Sequence, residues 1–378
     1  MFKKIMCVLM VVAMAACLFA ACGDKKDGGD TKAEGKTLLI GGTGPLTGDA
    51  SSYGISVKNG AQLAINEINA AGGIDGVQLA FDIKDDKATA EDASTGYDAL
   101  MDAGMKVSIG SVTSGSCAAF GDKAAGDNLF FITPSASAAN VIEKGKNAFR
   151  VCFGDPDQGV LAAEELAKNY KNIGCIYDTS DPYSKGIYDA FDAKMKELNA
   201  AYKVQSFDAE NKKDFSTQAE ALKDCDVIFT PFYYTEAGLV CKALVNKGSK
   251  ALVYGCDGLD GIKDQIEGVD VKVTYITPFD VNSKDEKVAK FVNDYKAAYE
   301  GKEPDQFAAD GYDAIYAIFN ALQKSGFTAD DLKLDVSAFG DKMIATFTDP
   351  SFSYAGVTGT MTWDASGACT KAPQVVEL

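Results

Sequence analysis

Short apolar runs alternate along this chain with longer segments whose apolar residues recur at three- and four-residue spacing. "TLLIGG" reads as a strand. The helix from Tyr53 follows it, with Val57, Ala61, Ala64, Ile65 and Ile68 on one face and Gly72-Gly73 as its stop. "VQLAFDI" is a strand, "ATAEDASTGYDALMDAG" a helix, "KVSIG" a strand and "SCAAFGDKAAGD" a helix; "LFFIT" and "AFRVC" are further strands. A second series starts at Asp155, where Asp and Pro open a helix predicted to bury Val160, Ala163, Leu166 and Tyr170. Strand "NIGCIYD", a helix over 184–198, strand "YKVQSF" and a helix over 215–223 follow. Then come strand "DVIFTPF", helix "TEAGLVCKALVNKG" and strands "ALVYG" and "KVTYITPF". Two long helices, "KVAKFVNDYKAAYEG" and "DQFAADGYDAIYAIFNALQKSG", precede an alternating end that reads as a hairpin or short sheet. Near-continuous apolar strands between helices imply parallel sheets covered on both faces. Two such series predict an α/β chain of two doubly wound lobes, with ligands taken at the carboxyl ends of the strands.

The first such end, "GGTGPLTGDASSYG" (41–54), is rich in glycine but does not suit phosphate. Asp49 stands where a P-loop needs lysine. The dinucleotide pattern fails at Thr47, and Pro45 removes an N–H donor. Later ends are more informative. "SVTSGSC" (111–117) and "PSASAAN" (134–140) are hydroxyl-rich turns leading into helices, without lysine or arginine. Neutral donors of this kind can hold a carboxylate, although Ser114, Ser116 and Ser137 would equally serve as helix caps. "DTSDPYSKG" brings Tyr183, "TPFYYTEAG" brings Tyr233 and Tyr234, and "YGCDGLDG" brings Asp257. Singly, the rings read as core and the acid as a turn cap. Together, donors on one side and aromatics with one carboxylate on the other suit a zwitterion.

The ends of the chain and its composition set the compartment. Lys3 and Lys4 precede "IMCVLMVVAMAACLFAAC", a basic and then apolar leader too short for a comfortable span. Residues 1–21 read as a signal peptide. "LFAAC" resembles a bacterial lipobox, with Cys22 as the lipidated residue and Cys17 as the competing site. The polar stretch over 22–36 reads as a flexible tether. The expected location is the extracytoplasmic face of the cell membrane, held there by the lipid. The formal net charge is −17 with no basic block, which argues against nucleic acid. There is no histidine, which excludes Ser-His-Asp and Cys-His catalysis and His-ligated metals. Seven cysteines follow Cys22, none in C-x-x-C spacing, and most sit in apolar segments where Cys acts as a small hydrophobe. No triad, metal cluster or cofactor loop is visible, so an exported α/β enzyme is poorly supported.

These residues resemble the leucine/isoleucine/valine-binding family of type I periplasmic binding proteins. The likeness runs from about Thr37 to the C-terminus. "GPLTGDASSYGISVKNGAQLAINEINAAGGIDG" carries it most specifically, followed by "DDKATAEDA", "ITPSASA", "DPYSKG", "FYYTEAG" and "GCDG". The resemblance implies two lobes joined by three crossings, near Asp155, Phe279 and Ala355. Lobe 1 would comprise 37–155 and 280–355, and lobe 2 would comprise 156–279 and 356–378. It implies that Tyr53 flanks the ligand, and that Ser114 and Ser137 take a carboxylate beside backbone groups of Thr113, Ser135 and Ala136. Tyr183 and either Tyr233 or Tyr234 would pack the ligand, Asp257 would take its ammonium, and Phe279 would close the side-chain pocket. Asp257 is one methylene shorter than the glutamate common in the family, and Thr113 and Ser135 make their wall more polar than leucine needs. The implied function is amino-acid capture by a monomer for an ABC permease and its cytoplasmic ATPase. A sensor for a membrane receptor, or a site for an amide or small organic acid, is the alternative.

Overall fold

The computed structural model describes residues 36–371 and 373–377. The leader, the tether and Cys22 lie outside the described residues. The first half builds β1 (Thr37–Gly44), α1 (Ser51–Ala70), β2 (Gln78–Asp85), α2 (Ala90–Asp102), β3 (Val107–Ser108), α3 (Ser114–Asp127), β4 (Phe131–Thr133), α4 (Ala139–Ile142) and β5 (Ala148–Arg150). These strands form one parallel sheet in the order β2-β1-β3-β4-β5. The second series runs α5 (Asp155–Asn169), β6 (Ile173–Asp178), α6 (Pro182–Glu197), β7 (Tyr202–Phe207), α7 (Ser216–Leu222), β8 (Val227–Thr230), α8 (Tyr234–Asn246), β9 (Leu252–Gly255) and β10 (Val273–Thr277). The chain then adds α9 (Glu286–Ala298), α10 (Gln306–Lys324), α11 (Val336–Phe347), the hairpin β11 (Tyr354–Gly356) and β12 (Gly359–Met361), and β13 (Gln374–Glu377). The second sheet has the order β13-β10-β9-β8-β6-β7, parallel except for β13 at its edge.

The order of each sheet reverses once, between β1 and β3 in the first and between β6 and β8 in the second. Loops leaving such neighbouring strands diverge to opposite faces and open a crevice at their carboxyl ends. The turns carrying Tyr53 and Thr113 leave the first switch point, and those carrying Tyr183 and Tyr233 leave the second.

Helix α1 buries the face expected of it: Val57, Ala61, Ala64, Ile65 and Ile68 are all sealed from solvent. It packs on α10 through Gly60 and Gly311. A β-carbon on Gly60 would stand 1.8 Å from the Ala308 carbonyl oxygen, and one on Gly311 2.5 Å from that of Val57. Only hydrogen fits between these backbones, so the two helices approach closely and hold their first turns, with Tyr53 and Phe307, together.

Three expectations are corrected. Helix α5 is rotated from its predicted face: Val160 and Tyr170 are half-buried, while Asp155, Gln158, Gly159, Ala162, Ala163 and Leu166 are buried. Helix α11, which the strand–helix reading passes over, buries Phe339, Met343 and Phe347 beneath the first sheet's cluster. The third crossing lies later than Ala355. Asp313 of α10 accepts from the N–H groups of Val357 and Thr358, the Trp363 indole donates to the Arg150 carbonyl, and Lys371 pairs with Asp310. These bonds hold 354–371 on the first lobe, and the chain joins the second only where β13 pairs with β10. Six of the seven cysteines are buried and Cys369 is half-buried, all as free thiols.

Candidate functional site

Tyr53, Val112, Thr113, Ser114, Ser135, Tyr183, Tyr233, Asp257, Gly258 and Phe307 line a narrow, nearly closed cavity between the lobes, about 10 Å³ in volume. The turns of both switch points thus converge on one place. Of the two adjacent tyrosines, Tyr233 lines the cavity. The Tyr234 ring packs edge-on against Tyr53, 4.9 Å between centroids. Ala136, Ser137 and Phe279 are buried but outside the lining. The family resemblance places Phe279 as the ring that closes the pocket. Its N–H is instead held by the Thr277 hydroxyl, and its ring packs against Phe291. Phe307, at the start of α10, lines the cavity instead, its ring centroid 4.1 Å from that of Tyr53.

Asp257 is 4 % exposed. Its carboxylate accepts from the Tyr183 hydroxyl at 2.6 Å. Its backbone is clamped on both sides: its N–H donates to Gln158 Oε1, and its carbonyl accepts from Gln306 Nε2. Burial pushes its carboxyl up to about 6, against the lowering effect of Tyr183 and Gln158. The Tyr183 hydroxyl also accepts from the Gly258 N–H at 2.8 Å. A β-carbon at residue 258 would stand 2.8 Å from that hydroxyl, so glycine is needed after the acid. Tyr183 stacks on Tyr233, 5.0 Å between centroids and 17° between planes, making one wall flat and aromatic.

The lobes also touch directly. The Tyr53 hydroxyl donates to the Gly258 carbonyl at 2.5 Å and accepts from the Tyr234 N–H at 3.1 Å. At the rim, Lys212 bridges Glu236 of its own lobe and Asp49 of the other.

The first lobe's hydroxyls are unequal. Ser135 Oγ donates to the Val112 carbonyl, and Ser114 Oγ accepts from the Ala138 N–H. Thr113 Oγ1 and Ser137 Oγ are buried without a hydrogen-bond partner. Both carboxylate oxygens of Asp155, Arg150 Nε and Gln158 Nε2 likewise make no hydrogen bond of good geometry, although Ser137 lies near enough to Asp155, and Gln158 to Asp257, to lower those carboxyls. Ten such buried atoms occur among the described residues: one is on Thr113, in the cavity lining, and five are on Ser137, Arg150, Asp155 and Gln158, outside the lining and near the first crossing. The group is bound together: Ser137 O accepts from Asp155 N–H and from the Arg150 guanidinium, and Gln158 reaches Asp257. Burial pushes the Asp155 carboxyl well above the usual range, and the charge of Asp257 adds to this. The Ser137 hydroxyl and Arg150 pull the other way.

Sequence reasoning missed Asp155, Gln158, Arg150 and Phe307 as site residues. A signal existed for two of them. Asp155 and Gln158 sit at i and i+3 with Gly159, Ala162 and Ala163 beyond, so a buried stripe drawn through the small residues carries both polar groups inward.

A family model described as periplasmic binding protein matches residues 37–371. The Leu/Ile/Val-binding protein BraC3 of Rhizobium johnstonii is 29% identical over 308 residues, 80% of this chain and 83% of that one. The Leu/Ile/Val-binding protein homolog 3 of Brucella melitensis is 28% identical over 338 residues, 87% and 88% of the two chains. Among solved structures, the leucine-binding protein LivK of Thermotoga maritima superposes with a TM-score of 0.80 at 25% identity, over 89% of this chain and 94% of that one. LivJ of Streptococcus pneumoniae, a branched-chain amino acid transporter substrate-binding protein in complex with isoleucine, gives 0.76 at 26% identity, over 91% and 100%. A Rhodopseudomonas palustris solute-binding protein in complex with benzoate shares the fold, with a TM-score of 0.79 at 19% identity over 90% and 93%. Among the described residues no helix is long and apolar enough to cross a membrane. With the match covering both lobes and the cleft between them, this chain belongs to the periplasmic binding protein family, a family of solute-binding proteins rather than an enzyme class.

Proposed function

We propose that this protein is the extracytoplasmic solute-binding lipoprotein of an ABC importer, anchored through Cys22, and that it closes on a small L-amino acid of branched-chain size. The observation that carries this reading is the cluster of unpaired buried polar groups against an aromatic-lined cavity. Buried polar groups are ordinarily hydrogen-bonded, so a concentration of orphans marks the place of a missing polar partner. Ser114 and Ser137 offer hydroxyls to a carboxylate. Asp257, joined by Asp155, offers negative charge to an ammonium. Tyr53, Tyr183, Tyr233 and Phe307 pack the side chain. An ion pair formed in such a dry cleft is stronger than in water.

Ligand binds one lobe, and closure then brings the second lobe's groups onto it. A permease paired with this protein reads the closed form. A carboxylate ligand without an amine would bring no cation to the buried Asp257 and the nearby Asp155, which favours amino acids over aromatic acids. A thermal-shift screen of the protein, unfolded and refolded to strip bound ligand, tests this against L-amino acids, their amides and small carboxylates. Stabilisation by a few amino acids is expected. Stabilisation only by acids or amides lacking the zwitterion would overturn the assignment of the two aspartates.

A further inference from the structure

Thr113 stands at the N-cap of α3 with an extended backbone, φ −93° and ψ 148°. A threonine there ordinarily turns its hydroxyl back onto the free N–H groups of the first helical turn. This one makes no such bond. Its Oγ1 is buried without a partner, although the residue is only 5 % exposed and lines the cavity. Leaving a buried hydroxyl unpaired is unfavourable, so the missing partner must come from what fills the cavity.

The position of the hydroxyl says which part of a ligand it would meet. The other unpaired groups, Ser137, Asp155, Arg150 and Gln158, lie outside the lining, near the first crossing, tied to one another and to Asp257. Thr113 lies in the lining itself, next in the chain to Val112, in a cavity that Tyr53 and Phe307 also line. Its neighbour Ser135 has already committed its hydroxyl to the Val112 carbonyl at 2.8 Å. Thr113 therefore brings an unpaired hydroxyl to a lining otherwise rich in apolar and aromatic groups, Val112, Tyr53 and Phe307 among them.

Resting on the amino-acid reading above, we propose that Thr113 is a specificity-determining residue whose hydroxyl pairs with a polar group on the ligand's side chain. The preferred ligand class is then small hydroxyl-bearing amino acids over their apolar isosteres.

Valine and threonine test this directly, because they differ by one methyl against one hydroxyl. Calorimetric affinities of both are measured on the refolded wild-type protein, on Thr113→Val and on Thr113→Ser, with leucine as a third ligand. The expected result is a wild-type preference for threonine that falls about tenfold in Thr113→Val, a change of about 1.4 kcal/mol. Thr113→Ser keeps the hydroxyl and should keep the preference, which separates the hydroxyl's role from any loss of folding. A threonine-to-valine ratio unmoved by Thr113→Val overturns the proposal. So does an equal loss for both ligands, since the hydroxyl would then serve the common carboxylate. Binding of leucine without threonine also overturns it, leaving the amino-acid reading intact. Binding of none of the three overturns that reading and this proposal together.

Discussion

The Tyr53 hydroxyl is a single group bonded twice to the opposite lobe, and removing it gives a defined expectation. In Tyr53→Phe, the Gly258 carbonyl and the Tyr234 N–H both lose their partner in the closed form. Each net hydrogen bond contributes about 0.5–1.5 kcal/mol, so the closed form should lose roughly 2 kcal/mol relative to the open one. Tenfold in affinity corresponds to about 1.4 kcal/mol, which makes the expected loss on the order of 30-fold. The ring keeps its packing against Phe307 and Tyr234, so the fold itself should be little affected. Once the lobes separate, water satisfies the same groups. The loss should therefore appear in the rate at which ligand leaves rather than in the rate at which it arrives. Stopped-flow release and calorimetry on the amino acid found by the thermal-shift screen measure both. An unchanged release rate, or a loss confined to association, would refute the reasoning that this hydroxyl holds the lobes shut.

Asp257→Asn should weaken ligand binding by about 2–5 kcal/mol in calorimetry, since the ligand ammonium loses its buried charge partner; equal affinity would remove Asp257 from that role. The same group predicts a pH dependence. Its carboxyl lies at about 6 in the ligand-free cleft, above its usual 3.8, so its ionisation costs the folded protein stability as pH rises from 3.8 through 6, and this cost is absent below 3.8. An ammonium needs the ionised form, so the dissociation constant should be flat above pH 7 and rise towards tenfold per unit below 6; a flat profile down to pH 5 would contradict this. Lys371→Met strands Asp310, its partner at 2.8 Å, with both side chains no more than 2 % exposed, and should cost about 3–5 kcal/mol in a denaturant melt. Adding Asp310→Leu should recover most of that loss. Gly60→Ala forces α1 from α10, costs about 1–3 kcal/mol or more, and should also weaken ligand binding although residue 60 lies well away from the cavity.

Much of this was legible because each strand–helix unit states its own period. The face of α1 follows from Val57 to Ile68 alone, and the turns after β3, β6, β8 and β9 could be found by walking to the end of each apolar run. Of the expected site residues, Tyr53, Thr113, Ser114, Ser135, Tyr183, Tyr233 and Asp257 meet at one cavity. What failed depended on contacts between distant segments. The Phe279 ring packs on Phe291 and the Phe307 ring on Tyr53, contacts between segments far apart in sequence that no local pattern encodes. The third crossing is fixed by Trp363 on Arg150 and by Lys371 on Asp310, pairs separated by 213 and 61 residues. Helix α11 is short, and Gly340 interrupts its apolar stripe. In α5 the amphipathic rule pointed the wrong way, because buried polar groups were read as the solvent side.

The late third crossing has a practical consequence. The described chain begins on the first sheet with β1 and finishes on the second with β13, an edge strand paired only to β10. Its two ends therefore ride on different lobes. Any change in the angle between the lobes is a change in the distance between the ends, so a fluorescent donor placed just before Thr37 and an acceptor after Glu377 would turn ligand occupancy into an optical signal.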